Sequence, residues 1–232
     1  ALTLTSRSGV TLVGTAHGTS LLESGCEFCG ACVDVCPTGA LTERSYKWEK
    51  AVSEVTTICT NCPVGCQMVA EINKFGKVVR FKGDFAGAAN SGQACMTGKF
   101  GYDYTNDGSR LKRPYIREDG MLRKATWDEA LERIKQGLAG RTPGEVAIIT
   151  SPRGSNEDQF SAAKFARTVL NTTNIDSALN SDHALLSQLE VRLGAGAATN
   201  PIWDLEDAKC LLVVAGNPTE EQNVLAVAAK KA

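Results

Sequence analysis

Hydrophobic and polar positions change their rhythm twice along the chain, and the changes predict its elements. Between residues 67 and 82, apolar Val69, Ile72, Val78, Val79 and Phe81 alternate with polar residues on either side of Asn73-Lys74-Phe75-Gly76-Lys77. Alternation broken by a glycine-containing turn predicts a β-hairpin. Over residues 126–140 the period becomes helical. Ala130, Leu131, Ile134 and Leu138 share one face, and Thr126 followed by Glu129 makes a capping box. From Glu145 onward strands and helices alternate: a buried strand at 146–150, an amphipathic helix at 156–170 with Phe160, Ala163, Phe165 and Val169 apolar, and a helix at 183–193. A second buried strand follows at 211–215, which makes Cys210 a small core residue, and then a helix from Thr219. That order predicts an open α/β sheet, whose ligand-binding loops would be 151–156 and 216–220, at the C-terminal ends of its strands. Residues 1–24 read as one short strand and a connection, 42–56 as a polar linker with a helical turn, and 98–120 as a loop punctuated by Pro114 and Gly120.

Composition narrows the class. With 232 residues, 43% hydrophobic and 22% charged, the chain is an ordinary soluble protein with one core or two smaller ones. Its net charge of −1 offers nothing to attract nucleic acid or an anionic membrane surface, and Arg110-Leu111-Lys112-Arg113 reads as a solvated connection. No run reaches the ~18 apolar residues of a membrane span, and the first residues lack a signal peptide's charged start and apolar core. A cytoplasmic location without membrane insertion is expected.

The cysteines carry the chemistry. Eight of the nine fall in two sets. Cys26, Cys29, Cys32 and Cys36, followed by Pro37, form C-x2-C-x2-C-x3-C-P, the bacterial pattern for cubane iron–sulfur clusters. Cys59, Cys62 and Cys66 form C-x2-C-x3-C, completed by Cys95 after 28 intervening residues. Short spacings let a tight loop aim successive sulfurs inward, and amides left free in the loop can bond the cluster sulfides. In the first pattern three cysteines hold one cluster and the fourth reaches across to another. Cys36 therefore expects partners from a further quartet upstream of Ala1; the alternative is one distorted cluster using all four thiols. Four cysteines also make a tetrahedral zinc site, and a disulfide framework is the remaining reading. The metal spacing and a reducing cytosol favour free thiolates.

Together these features resemble the molybdenum/tungsten bis-pterin oxidoreductases, in the branch of the formate dehydrogenase alpha subunit and the related subunit of NADH-quinone oxidoreductase (complex I). The resemblance runs from about Gly25 to Ala232. It rests on both cysteine sets, Pro37-Thr38-Gly39-Ala40-Leu41, Thr126-Trp127-Asp128-Glu129-Ala130-Leu131, Ser155-Asn156-Glu157, 194–200 and Gly216-Asn217-Pro218. It implies an α+β then α/β architecture. Residues 1–50 would be the second half of a ferredoxin-type double-cluster module with its ferredoxin-like cysteine loop. Residues 51–113 would form a small β-rich [4Fe-4S] domain, and 114–232 an incomplete, Rossmann-like α/β domain. It further implies at least two [4Fe-4S] clusters, with the Cys59 set nearest a pterin, and Asn156 and Asn217 on pterin-lining loops. Electrons would pass to flavin-, ferredoxin-, quinone- or iron–sulfur-containing partners.

Two positions depart from that pattern. Where formate dehydrogenases place a metal-ligating cysteine or selenocysteine before a histidine, this chain has Asp182 before His183, and Asn180 stands where an arginine is expected. A carboxylate can still ligate Mo or W, but it lacks the softness of a thiolate. Asp182 also reads as a plain N-cap and His183 as a surface residue. Thr97 replaces the lysine or arginine usual between cluster and pterin, with Lys99 as a displaced substitute. Both departures imply a chain that keeps the clusters as a wire. The alternatives are a catalytic formate dehydrogenase subunit with a Mo/W pterin, using Asp182 and His183, and a zinc-stabilised interaction module.

Overall fold

A computed structural model describes residues 1–232 apart from Ser45, 179–182 and Ala215, and gives the backbone alone for Arg7, Lys47, His183, Ala184 and Leu185. Residues 1–106 together with 200–232 form one compact unit, and 107–199 form another.

The N-terminal stretch is a full hairpin rather than one strand: β1 (Leu2–Arg7) pairs antiparallel with β2 (Val10–Thr15). Ser8 and Gly9 turn it with φ of 51° and 78°, the left-handed pair that matches the twist of the flanking strands. The first cysteine loop follows and contains one helical turn, α1 (Ala31–Asp34).

The expected linker at 42–56 is a linker only in its first half. A 3-10 turn spans Tyr46–Trp48, and then β3 (Ala51–Ile58) adds to the predicted hairpin of β4 (Gln67–Asn73) and β5 (Val78–Gly83). Nearly all of β3 is exposed, so it lacks the half-buried pattern that would have marked it as a strand. Its backbone pairing with β4, from Ala51↔Asn73 to Ile58↔Gln67, makes it the sheet's edge. The Asn73–Lys77 turn forms as predicted: the Asn73 side chain accepts hydrogen bonds from the Phe75 and Lys77 amides at 2.9 and 3.0 Å, and Gly76 takes φ 76°. β4 is central and covered on both faces, burying Met68, Ala70, Glu71 and Asn73. Buried Glu71 is matched by Arg80, with two contacts of 2.9 Å, and by Lys82 at 2.7 Å. Burial pushes its carboxyl up, but those cations outweigh burial and hold it below the usual range. Two short helices, α2 (Met96–Phe100) and α3 (Asp103–Asn106), close this part, and Tyr102 packs edge-on against Phe81.

In the second unit the supposed loop around Gly120 is a hairpin of β6 (Tyr115–Glu118) and β7 (Met121–Lys124). Asp119-Gly120 turns it with φ of 48° and 81°, the Asp-Gly pair that favours such a turn. α4 (Trp127–Leu138) starts on the predicted capping box of Thr126 and Glu129. The β8 (Ile148–Thr150), α5 (Asn156–Thr168), β9 (Ile175–Ser177) segment forms a parallel pair with a helical crossover. β8 is shorter than predicted and is not buried, since Ile149 is 74% exposed. α6 (His183–Leu193) spans the predicted range.

Residues 211–214 are not a strand. Among the described residues no strand pairs with them, and Leu212 and Val214 stand 87% and 77% exposed. An apolar run becomes a strand only where a neighbour completes its hydrogen-bond ladder. This run belongs to the first unit, whereas β8 and β9 belong to the second. Cys210 is accordingly exposed, not a core residue. The predicted C-terminal helix is split into α7 (Pro218–Glu221) and α8 (Asn223–Lys231). α8 buries Val224, Ala226 and Ala228, and Val224 joins Cys66, Met68 and Ala94 in the core of the first unit. No helix among the described residues is long and apolar enough to cross a membrane.

Candidate metal centre

Cys59, Cys62, Cys66 and Cys95 line one cavity of about 740 Å³, together with Met68, Ala94, Gly98 and Val224. The loop between β3 and β4 supplies three of them. The Cys59 amide donates to the Cys66 carbonyl at 2.8 Å, closing the loop as an extension of the sheet. Gly65, at φ 62°, makes the turn inside it. Cys95 is the N-cap of α2, and its sulfur accepts the Gly98 amide at 3.4 Å.

Asn90, fully buried, holds the Cys95 loop to the sheet. It accepts the Gln67 amide at 2.9 Å and donates to the Gln67 and Gln93 carbonyls at 3.0 and 2.7 Å. Its role was not legible from sequence, because a loop asparagine looks the same whether it faces solvent or backbone. At Gly98 an added Cβ would stand 3.5 Å from the Cys59 sulfur and 3.8 Å from the Cys95 sulfur. The absent side chain leaves that space to whatever the thiols hold.

Burial pushes the Cys66 thiol up to about 12, helped by repulsion from Cys59, Cys62 and Cys95. Burial also raises Cys62, which the Val64 amide partly offsets and Cys95 and Cys59 reinforce. Bare thiolates are therefore unstable together here, and a multivalent cationic centre would reverse the penalty. The four sulfurs are set around the cavity, with the Gly98 amide aimed at one of them, and four thiols so placed suit a tetrahedral zinc ion or a larger all-sulfur-ligated centre. All nine cysteines are free thiols in this structure.

In the first loop, Phe28 (φ 53°) donates its amide to the Cys26 sulfur at 3.4 Å, and Cys26 with Glu27 forms part of the same cavity wall. Cys36 accepts the Leu41 amide at 3.4 Å; that bond, then Thr38, lowers its pKa to about 7. Such bonds favour the thiolate that a metal requires.

This loop is docked onto α2. Gly30, at φ 75°, lies so close that a Cβ would stand 2.6 Å from Cδ of Lys99 and 2.7 Å from Cζ of Phe100. Lys99, 1% exposed, donates to the Gly30 carbonyl at 3.1 Å and pairs with Asp34. Its ammonium is thus engaged by the first cysteine loop. Glu27 is bonded by Asn223 and Lys230 of α8. The Lys230 hydrogen bond holds its carboxyl below the usual range. Asn156 opens α5 and Asn217 precedes α7, both exposed. Asp182, Asn180 and the side chain of His183 lie outside the described residues.

A cysteine-lined cavity beside a second cysteine loop defines an iron–sulfur protein. Comparison with known proteins agrees: residues 21–42 match a 4Fe-4S binding domain, 52–107 the Fe4S4 domain of molybdopterin oxidoreductases, and 110–232 the molybdopterin oxidoreductase family itself. The chain belongs to the molybdopterin oxidoreductase family.

It is 34% identical over 202 residues to a NADH-quinone oxidoreductase subunit of Rhizobium meliloti, covering 86% of this chain and 23% of that protein. It is 38% identical over 173 residues to the F420-dependent formate dehydrogenase 1 subunit alpha of Methanococcus maripaludis, covering 74% and 26%. The NADPH-Fe(3+) oxidoreductase subunit alpha of Geobacter sulfurreducens is 33% identical over 222 residues, covering 92% and 25%. The chain thus spans about a quarter of the length of the curated relatives it matches.

Proposed function

We propose that the chain is the iron–sulfur relay portion of a multisubunit oxidoreductase. In this reading Cys59, Cys62, Cys66 and Cys95 hold one [4Fe-4S] cluster, and Cys26, Cys29, Cys32 and Cys36 serve its upstream neighbour. When bound, each cluster supplies a one-electron carrier. The chain's own residues do the rest. The β3–β4 loop and the α2 N-terminus orient the thiols, Met68, Ala94 and Val224 keep the pocket apolar, and the Gly98 amide donates toward a sulfur. The observation that carries the reading is the convergence of four thiols on one cavity whose wall also contains Cys26 of the other set.

We further propose a ferredoxin-like first loop, a three-domain division at 1–50, 51–113 and 114–232, a Rossmann-like third domain and a cytoplasmic location. The partners would carry flavin or iron–sulfur groups, in keeping with relatives that are themselves named as subunits. The domain division is supported by the three family matches, which fall at 21–42, 52–107 and 110–232.

A pterin-bearing catalytic role for Asp182 and His183 is the rival reading. The wire needs only the two cysteine sets, and the engagement of Lys99 by Asp34 supports it. The test is electron paramagnetic resonance of the dithionite-reduced full-length protein with iron and sulfide analysis. Cys62→Ser should remove one cubane signal and leave the upstream one. Stoichiometric zinc without iron would end the proposal, and pterin with Mo or W would favour the rival.

A further inference from the structure

The first cysteine run carries an acid in each of its outer gaps, Glu27 between Cys26 and Cys29 and Asp34 between Cys32 and Cys36, and each is met by a cation from elsewhere in the unit. The two pairs differ in weight. Lys230 and Glu27 have side chains 54% and 27% exposed, so water and salt screen them. Lys99 and Asp34 have side chains 2% and 18% exposed, where charge is felt strongly and a missing partner is costly.

Lys99 lies on the same short helix that Cys95 caps, one helical turn further on. Its stem packs on Gly30, the neighbour of Cys29, and its ammonium holds the Gly30 carbonyl as well as Asp34. One stretch of five residues therefore carries a thiol of the second site at one end and grips the first loop at the other.

We propose that Lys99 is a positioning residue for electron transfer between the two cysteine sites: it fixes the first loop against the Cys95 helix and, through Asp34, sets the potential of the cluster held by that loop. The proposal rests on the cluster reading above. Its physical content is a charge balance. A buried cation raises the potential of a nearby iron–sulfur centre by favouring the added electron, and a buried anion lowers it. Lys99 and Asp34 cancel, so removing either one exposes the other.

The experiment uses the full-length, cluster-loaded protein and its variants Lys99→Met, Asp34→Asn, the double variant and Lys99→Arg. Potentiometric titration followed by electron paramagnetic resonance gives the midpoint of each cluster and the magnetic coupling between them, and iron analysis gives occupancy. Lys99→Met should shift the upstream midpoint to more negative values and Asp34→Asn to more positive ones. The double variant should return toward the parent, and Lys99→Arg should stay near it. Intercluster coupling should weaken in Lys99→Met.

A purely structural contact would move both single variants in the same direction or lose clusters from each, and either result overturns the proposal. So does a Lys99→Arg midpoint displaced as far as that of Lys99→Met. Full iron content with unmoved midpoints overturns the proposal alone, whereas a parent protein without iron at these cysteines overturns the cluster reading beneath it.

Discussion

Gly30→Ala separates docking of the first cysteine loop from ligation, because it touches no thiol. Two costs add. At φ 75° an alanine pays the left-handed backbone penalty, about 1–2 kcal/mol. Its Cβ would also fall 2.6 Å from Lys99 Cδ and 2.7 Å from Phe100 Cζ. Lys99 cannot swing aside cheaply, since its ammonium is held by Asp34 and the Gly30 carbonyl. Over-packing of this kind costs about 1–3 kcal/mol, so the sum is roughly 2–5 kcal/mol.

Gly39→Ala is the control. It lies just beyond the same cysteine run at φ 68°, but its nearest neighbour is Thr42 Oγ1 at 3.9 Å, so only the backbone cost applies. Denaturant unfolding of the cluster-loaded protein, followed by visible absorbance of the clusters and by tryptophan fluorescence, measures both. Gly30→Ala should be less stable than Gly39→Ala and should release iron at lower denaturant. Equal losses in the two variants, or a neutral Gly30→Ala, would refute the claim that this loop is docked through Lys99 and Phe100.

Three further outcomes are expected. Asn90→Ala strips partners from the half-buried Gln67 amide and from two carbonyls, and should cost about 2–4 kcal/mol of stability, read as a lowered thermal midpoint with slower iron incorporation at the second site. Burial raises the Glu43 carboxyl, against Arg80, Lys99 and the Tyr102 hydroxyl, which favour its ionised form, while Asp34 adds to the rise. The fold therefore holds that proton more tightly than the unfolded chain does, and the associated stability is lost as pH rises from the ordinary 4.5 through the raised value. Glu43→Gln should accordingly melt higher than the parent at neutral pH, with the gain vanishing in acid; a gain independent of pH would contradict the assignment. Thr126→Ala removes the capping box of α4 and should cost about 1 kcal/mol, checked by helix content and thermal midpoint.

What can be read in advance is local. The cysteine spacings, the Asn73–Lys77 turn and the Thr126–Glu129 cap each depend on residues a few positions apart, and each appears where the sequence puts it. Asp119-Gly120 is equally local, and its turn preference outweighs the loop-like composition around it. Other features have no local signature. β3 is a strand because β4 offers it a backbone ladder, although its side chains show no buried face. Residues 211–214 have the composition of a strand and lack the partner.

By itself, then, the sequence determined how its cysteines are spaced and how its turns and helix starts form, since bond geometry and neighbouring amides decide those within a few residues. Tertiary structure decided that Val224 walls the cavity, that Asn90 ties down the Cys95 loop, and that Lys99 turns toward Asp34. Contacts across 65 residues, as between Lys99 and Asp34, leave no trace in hydrophobic periodicity. They exist only once burial makes an unpaired charge costly enough to select its partner.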